Sequence, residues 1–333
     1  MEVRTGPSGP VFFIWLLIGL LISGCASVKT QPPTIDLERV HSRGAHRIAF
    51  DPRGDRLASG GLHGSIHIWE VETGRLFTTL THHASSIRGL AWLDDTALIS
   101  ADKDGKLTIS DLRTLKVSGS AKFGSAINFA LSPDRSWLLL AEKRQIRKLA
   151  LPSFETLEQL SLDADVLAVA INQAGSRMAV STDNSRVMLM DSDLGGIAEL
   201  PRPSRDAYDL RFSPDNSILL AGGWFKLLVW DFEKGVLQER STEHLGQVVA
   251  VDISPDGSRW ISLGRETDSS FRLIDAESNQ VVRRFEAHEL CGRQARFSAD
   301  GRYVASSADD GSIHIYDLDQ PYRPVVRYIE YDD

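Results

Sequence analysis

Residues 64–69 read GSIHIW, and residues 311–316 read GSIHIY. In both stretches apolar side chains alternate with polar ones, which is the period of a β-strand with one buried face. Turn signals such as Asp-Gly and Pro-Asp-Gly separate runs of this kind along the chain and favour tight hairpins. The sequence therefore predicts short antiparallel strands joined by tight turns, and no long helical period follows the N-terminal segment.

The same pattern returns about every 41 residues. A first anchor, typified by Arg-Phe-Ser-Pro, has its third residue at positions 51, 93, 132, 172, 213, 254 and 298. A second anchor ends a strand 17 to 20 residues later, at Trp69-Glu70, Ser110-Asp111, Leu149-Ala150, Met190-Asp191, Trp230-Asp231, Ile274-Asp275 and Tyr316-Asp317. Seven units of four short strands predict an all-β fold, a seven-bladed β-propeller of four-stranded antiparallel blades. Closing the ring hides most of the strand edges that a linear stack would expose.

Histidine and aspartate recur at fixed offsets within these units. His83 and His288 stand ten residues before the first anchor, while Asp104 and Asp310 stand seven before the aspartate of the second. At these positions the repeats resemble the WD-repeat family. The resemblance implies a hydrogen-bonded set of His, Ser or Thr, Asp and Trp, which satisfies polar groups buried within a blade. Its expected members are His288, Ser306, Asp310 and Tyr316 in the seventh repeat and His83, Ser100 and Asp104 in the second.

Two features leave alternatives open. Repeats three and four depart from the WD pattern, with Lys143 and Asn184 at the hairpin position, and their turns also suit the propeller of TolB-like periplasmic proteins. That choice affects the class of partner and leaves the fold unchanged. Residues 34–40 or 325–331 could supply the outermost strand of the last blade, and the WD resemblance favours the N-terminal strand.

An apolar segment precedes the repeats. Residues 11–22 read VFFIWLLIGLLI, which is short of the roughly 20 residues of a membrane span and suits the apolar region of a signal peptide. Residues 21–25, LISGC, resemble the lipobox of bacterial lipoproteins, which implies lipid on Cys25. The alternative is a simple N-terminal membrane anchor with a chance cysteine. The predicted domains are the signal peptide 1–24, the lipidated tether 25–34 and the propeller 35–333.

Charge and cysteine content narrow the partners and the chemistry. The 37 Lys and Arg against 45 Asp and Glu give a net charge of −8, the wrong sign for holding a nucleic-acid backbone. With Cys25 lipidated, Cys291 is the only other cysteine, so no intramolecular disulfide can form. We expect Cys291 to act as a small buried hydrophobe rather than as a reactive thiol.

No catalytic motif is apparent. The patterns G-x-S-x-G, H-E-x-x-H, G-x-x-x-x-G-K-[ST] and C-x-x-C do not occur, although propeller enzymes assemble sites from scattered loops. Six of the nine histidines lie in the first two repeats without metal-ligand spacing. Paired carboxylates such as Asp309-Asp310 are explained by turn chemistry. We therefore expect no catalytic residue, no metal and no cofactor.

An aromatic pair interrupts the fifth repeat. Trp224 and Phe225 occupy the hairpin position where the pattern places Asp. On a rim beside the loop 202–206, which carries Arg202 and Arg205, they would form an aromatic and arginine patch of the kind that anchors protein interfaces. The alternative, of equal weight, is that Trp224 folds back over the edge of its own blade.

These observations favour a lipid-anchored, non-catalytic scaffold that binds proteins of the bacterial envelope. WD-repeat propellers are mostly scaffolds, and Ala26 after the lipidated cysteine implies the periplasmic face of the outer membrane by the usual sorting rule. The alternative function is a periplasmic propeller enzyme, a hydrolase or lactonase acting over the central channel. An acid/base or metal pair at one channel mouth would favour the enzyme, and a lining of unpaired small or apolar residues would favour the scaffold.

Overall fold

A computed structural model describes residues 30–265, 268–321 and 325–329 of the chain. In this part of the chain, thirty strands and no helix form seven sheets. Each sheet is one blade, and the blades follow one another around a closed ring in which the last contacts the first. The predicted seven-bladed β-propeller is therefore confirmed. None of the described residues forms a helix long and apolar enough to span a membrane.

The first five blades each consist of four antiparallel strands that are consecutive in the chain. Blade 1 contains β3 (Ala45–Phe50), β4 (Arg56–Gly61), β5 (Ile66–Glu70) and β6 (Leu76–Leu80). Blade 2 contains β7 (Ile87–Trp92), β8 (Ala97–Asp102), β9 (Lys106–Asp111) and β10 (Lys116–Lys122). Blade 3 contains β11 (Asn128–Leu131), β12 (Trp137–Ala141), β13 (Gln145–Ala150) and β14 (Thr156–Ser161).

The remaining blades follow the same plan and add strands from the two chain ends. Blade 4 contains β15 (Val166–Ile171), β16 (Arg177–Thr182), β17 (Val187–Asp191) and β18 (Ala198–Glu199). Blade 5 contains β19 (Tyr208–Phe212), β20 (Ile218–Gly222), β21 (Lys226–Asp231) and β22 (Val236–Ser241). Blade 6 contains β23 (Val248–Ile253), β24 (Arg259–Gly264), β25 (Phe271–Asp275), β26 (Val281–Phe285) and β1 (Thr30–Gln31). Blade 7 contains β27 (Gly292–Phe297), β28 (Tyr303–Ala308), β29 (Ile313–Asp317), β2 (Ile35–Glu38) and β30 (Val326–Ile329).

Both chain ends complete the ring. β2 pairs antiparallel with β29, so the N-terminal strand closes blade 7, as predicted. β30 then adds to β2 as a parallel fifth strand. β1 adds in parallel to β26 of blade 6, and the Asp317 amide donates to Thr34 Oγ1 at 2.9 Å. Thr30 and Gln31, which belong to the segment predicted as a tether, therefore pair with the propeller, because the open edge of β26 offers backbone groups that another strand can pair.

The hydrophobic core lies between the blades. Seven clusters of buried apolar side chains each join two neighbouring blades, one at every interface of the ring. At the closure, Leu37 of β2 packs with Trp69 of blade 1 and Tyr303 of blade 7. Each blade buries its two faces only against its neighbours, which predicts that the ring unfolds as a single cooperative unit.

The innermost strand of most blades contains a β-bulge, which the repeat pattern does not predict. In six blades the pairing between the first and second strand shifts register near the start of the first strand, as between Ala45 and Arg47 or between Tyr208 and Leu210. Such a bulge increases the local twist and re-aims side chains. The bulges lie where the innermost strands enter the central channel, and they set which side chains line it.

Candidate functional site: the two faces and the central channel

Alternating strand directions divide the loops between two faces of the ring. The hairpins between second and third strands and the connections between blades lie on one face, which we call the hairpin face. The turns between first and second strands, such as Asp51 to Arg56, lie on the other, which we call the turn face. Candidate binding residues must be assigned to one of these faces or to the channel between them.

Four blades contain a buried histidine that hydrogen-bonds with a serine of the second strand. The ring nitrogens of these histidines lie between 2.7 and 3.2 Å from their partner oxygens. Burial lowers the pKa of each histidine below its usual value, so the rings are neutral. The sets are His41, Ser59 and Ser65 in blade 1; His83, Ser100 and Asp102 in blade 2; His244, Ser262 and Asp268 in blade 6; and His288, Ser306 and Ser312 in blade 7.

Asp104, predicted as a member of the blade 2 set, is corrected to Asp102. His83 Nδ1 lies 2.9 Å from Asp102 Oδ2, whereas the Asp104 side chain is exposed in the hairpin. Asp102 ends β8 and also accepts from the Lys106 amide at 3.0 Å. The carboxylate therefore comes from the strand end two residues earlier, where the backbone directs it inward. In blade 7, Asp310 contacts the set through Ser312, which donates to Asp310 Oδ1 at 2.5 Å.

Tyr316, predicted to take the place of Trp in blade 7, lies outside the histidine–serine set. Its hydroxyl donates to the Glu286 carbonyl at 3.1 Å and lies 3.2 Å from His314 Nδ1. In blade 1, by contrast, Trp69 Nε1 donates to Ser59 Oγ at 2.9 Å. The physical reason is shape, because an indole N–H projects from the side of its ring and a phenol hydroxyl from the tip, which carries it past the serine.

Blades 3, 4 and 5 replace the set with apolar residues. At the register position of Ser59 they have Leu140, Val180 and Ala221, all fully buried. Trp230 of blade 5 donates instead to the Pro201 carbonyl at 2.8 Å. We call blades 6, 7, 1 and 2 the polar arc and blades 3, 4 and 5 the apolar arc.

Trp224 and Phe225 lie on the hairpin face of blade 5 and are 41% and 44% exposed. Their rings meet edge to face at 5.6 Å. Trp224 forms a bridge with Gln247, and the Phe225 amide donates to the Gly246 carbonyl at 2.8 Å, which brings the pair beside Leu245, itself 65% exposed. We call Trp224, Phe225 and Leu245 the aromatic patch.

The predicted arginine loop is tied to the same hairpin. Glu239 accepts from the Ser204 amide at 2.6 Å and from Lys226 Nζ at 2.6 Å, which links the loop 202–206 to the strand that leaves the hairpin. Arg202 and Arg205 are exposed in that loop. Arg202 Nη2 donates to the Asn184 carbonyl of blade 4, so its guanidinium is directed toward the neighbouring blade.

The channel is lined by a mixture of apolar walls and paired charges, which neither functional alternative anticipated. Arg211 lies 3.1 Å from Asp209 and 3.2 Å from Asp252, and Arg296 lies 3.0 Å from Asp209. Burial acts to raise the pKa of Asp209, but Arg211 and Arg296 hold it below its usual value. Both carboxylates are ion-paired and are not arranged as an acid/base pair. No cluster of His, Cys, Asp or Glu suited to a metal occurs in the described ranges.

Sequence reasoning missed this network. Asp209, Arg211, Asp252 and Arg296 belong to three different repeats and meet only because the ring brings their first strands together. The available signal was the presence of charged residues inside predicted strands whose other residues alternate between apolar and polar. Cys291, expected to be buried, is half-buried. Cys25 lies outside the described residues.

Four segments of the chain match the family model described as WD domain, G-beta repeat: residues 37–70, 74–111, 197–231 and 279–317. These segments fall on the blades at the ring closure, on blade 2 and on blade 5.

Several characterised proteins are similar to most or part of this chain. Retinoblastoma-binding-like protein E of Dictyostelium discoideum is 24% identical over 277 residues, which are 80% of this chain and 50% of that protein. THO complex subunit 3 of Arabidopsis thaliana is 24% identical over 285 residues, 83% of this chain and 76% of that protein. Small ribosomal subunit protein RACK1 of Neurospora crassa is 33% identical over 114 residues, 33% of this chain and 35% of that protein.

The matches cover only part of some of these relatives. This chain spans half the length of the Dictyostelium relative. The matched segments include His41, His83 and His288 of blades 1, 2 and 7, and the hairpin of blade 5 that carries Trp224 and Phe225. The chain is therefore a seven-bladed β-propeller that is similar to WD-repeat proteins over the four matched segments.

Proposed function

We propose that this chain is a non-catalytic platform that binds another protein through the hairpin face of blade 5. The names of the relatives point the same way, since one is called binding-like, one is a subunit of a complex and one a protein of the ribosomal subunit. The observation that carries the proposal is the exposure of Trp224 and Phe225 on a face whose other hairpins are mostly polar. Tryptophan is the residue type most enriched among the energetic centres of protein interfaces.

The backbone holds the patch in one conformation. Phe225 has φ +62°, a left-handed conformation that is uncommon for a bulky residue. Two backbone hydrogen bonds fix it, from the Phe225 amide to Gly246 at 2.8 Å and from the Thr242 amide to the Phe225 carbonyl at 3.0 Å. A surface that is ordered before binding loses little conformational entropy when a partner docks. The ordered backbone and the partial exposure of both rings support the alternative in which Trp224 and Phe225 face a partner.

The test compares Trp224→Ala with Phe77→Ala. Phe77 is 48% exposed, similar to Trp224 at 41%, but lies on the outer strand of blade 1, away from the hairpin face. The partner is first captured from membranes with the wild-type protein, then its affinity for each variant is measured. We expect Trp224→Ala to weaken binding about thirtyfold, roughly 2 kcal/mol, with little change in melting temperature, and Phe77→Ala to preserve both. Unchanged affinity with a clear loss of stability would show that Trp224 caps its own blade.

The membrane anchor is a second part of the proposal. It rests on the apolar residues 11–22 followed by LISGC at 21–25, a pattern typical of a bacterial lipoprotein signal. On this proposal Cys25 carries lipid, Ala26 directs the protein to the periplasmic face of the outer membrane, and the partner is a protein of the envelope. We expect Cys25→Ser to release the chain from membranes in fractionation. Wild-type protein without acyl chains on Cys25, by mass spectrometry, would refute the anchor while leaving the binding face untouched.

A further inference from the structure

The central channel holds a cavity of about 620 Å³ that reaches the turn face, opposite the aromatic patch. Pro52 and Pro214 of the turns line its outer part, and Leu90, Phe129 and Val169 supply half-buried or buried apolar walls. Arg47, Gly89 and Gln294 are the lining residues that lie farthest from the turns along their strands. Cavities of this size with apolar walls and a few polar groups commonly hold small molecules.

Most interior charges of this cavity are already neutralised. Arg211 and Arg296 pair with Asp209, and Arg211 also with Asp252. Asp51 pairs with Arg56 at 3.3 Å. Arg47 differs, because it forms no ion pair with any carboxylate in the described part of the chain. Arg135 also lacks an ion pair within the described ranges but is exposed at the mouth, so Arg47 is the one unpaired positive charge on the inner wall of the cavity.

Arg47 is held in place but keeps donors to spare. Its Nε donates to the Arg88 carbonyl at 2.7 Å and its Nη1 to the His46 carbonyl at 2.9 Å. A guanidinium has five N–H groups, so these two bonds leave three without a partner among the described residues. Burial and the nearby Arg88 guanidinium lower the pKa of Arg47 to about 10, which leaves the group charged at neutral pH. An anion beside Arg47 would offset both the cost of burying its charge and the repulsion from Arg88.

We propose that the channel binds a monocarboxylate with an apolar body, its carboxylate on Arg47 and its apolar part against Leu90, Phe129 and Val169. A planar carboxylate matches the two parallel N–H groups that one guanidinium can offer. A single negative charge matches Arg47, the guanidinium of the cavity interior that forms no ion pair among the described residues; Arg135, which also lacks one, is exposed at the mouth. The inference is independent of the proposed protein-binding face, since the cavity opens on the opposite side of the ring.

The experiment is a calorimetric titration of the full chain with hexanoate, and in parallel with hexanol, hexylammonium and hexyl phosphate. We expect saturable binding of hexanoate and at least tenfold weaker binding of hexanol and hexylammonium. Arg47→Gln should weaken hexanoate binding at least tenfold and leave hexanol unaffected. The matched control is Arg135→Gln, since Arg135 lines the cavity at its exposed mouth and donates to the Leu93 carbonyl, and it should change hexanoate affinity less than twofold.

A second variant guards against misfolding of the first. Leu90→Trp should fill the cavity and abolish hexanoate binding while Arg47 is retained, and the melting temperature of Arg47→Gln should equal or exceed that of the wild type because an unpaired charge is removed. Absence of saturable hexanoate binding, equal binding by Arg47→Gln, or equal binding of hexylammonium would overturn the proposal. Tighter binding of hexyl phosphate would replace the carboxylate by a phosphate head group.

Discussion

The polar arc and the apolar arc solve the same packing problem in different ways. At one register position of the second strand, blades 1, 2, 6 and 7 have a serine that binds a buried histidine, and blades 3, 4 and 5 have an aliphatic side chain. Both arrangements are fully buried, so both exclude water. The histidine–serine sets fix the orientation of the side chains through hydrogen bonds. The aliphatic residues stabilise the interface between blades through buried apolar area alone.

The arrangement of the two arcs follows the ring closure. The polar arc is continuous across the place where β2 and β29 join the two ends of the chain, whereas the apolar arc lies opposite, among blades joined only by ordinary connections. Directional hydrogen bonds fix how the loop between blades meets its neighbours, as His83 does between blades 1 and 2. We infer that the polar sets define the alignment of the blades where the chain ends must meet.

The largest effect is expected from removing the closure itself. Deleting the chain from Ala287 onward removes β27 to β30, leaves β2 without β29, and exposes the facing sides of blades 6 and 1. We expect aggregated or unfolded protein, because each blade buries its faces only against its neighbours. Circular dichroism and size-exclusion chromatography are the measurements. A soluble truncated chain with an unchanged melting temperature would mean that the ring is not one cooperative unit.

Acid is expected to weaken the polar arc selectively. Burial lowers the pKa of His67 to about 4, and it lowers the pKa values of His41 and His288 well below the usual 6.5. The unfolded chain therefore binds more protons than the folded one as the pH falls. Stability is fully present above about pH 6.5 and decreases toward about pH 4, by about 1.4 kcal/mol per pH unit for each such histidine.

The measurement is the free energy of unfolding in urea at several pH values between 7.5 and 4.5. His67→Gln removes one of the titrating rings and should make the pH dependence shallower, whereas His63→Gln, at an exposed histidine, should leave it unchanged. Asp309 contributes little in this window, because His46 and Arg293 hold its pKa at about 2 against the effect of burial, and its usual pKa of 3.8 also lies below pH 4.5. Stability that is flat down to pH 5 would contradict neutral, buried histidines.

The sequence predicted the blades better than the contacts between them. Two anchors per repeat suffice for strand order, because hairpin pairing is local and set by alternation and turns. The identity of the carboxylate that reaches His83 depends on a shift of two residues at the end of β8, which alternation does not resolve. The pairing of Asp209 with Arg296 spans 87 residues and requires the closed ring. The bulges and the short edge strand β1 likewise leave no pattern in a single sequence, whereas residues 325–331 were recognised as a candidate strand and pair beside β2 as β30.

Placing the serine of the polar arc at an aliphatic position of the apolar arc should reduce stability by a smaller amount. Leu140 is fully buried at the interface of blades 2 and 3, packed with Ile99 and Leu107. Leu140→Ser introduces the serine of the polar arc without its histidine, so it leaves a cavity and an unpaired hydroxyl. We expect a loss of about 3 kcal/mol in urea unfolding, at the lower end of the range for this truncation if water enters. Leu140→Val, as the control, should cost about 1 kcal/mol; equal losses for both would show that the hydroxyl is accommodated without its partner.

The smallest loss of stability is expected at Tyr316, which occupies in blade 7 the position of Trp69 in blade 1. Tyr316→Phe removes the hydroxyl that donates to Glu286 and should cost about 1 kcal/mol. Because the Tyr316 hydroxyl bonds to Glu286 and lies beside His314 rather than Ser306, the double variant Tyr316→Phe, Ser306→Ala should be additive within about 0.5 kcal/mol. In blade 1 the indole of Trp69 donates directly to Ser59, so Trp69→Phe and Ser59→Ala should show a coupling of about 1 kcal/mol. Equal coupling in the two blades would return Tyr316 to the histidine–serine set, and the shape argument that separates phenol from indole would fail.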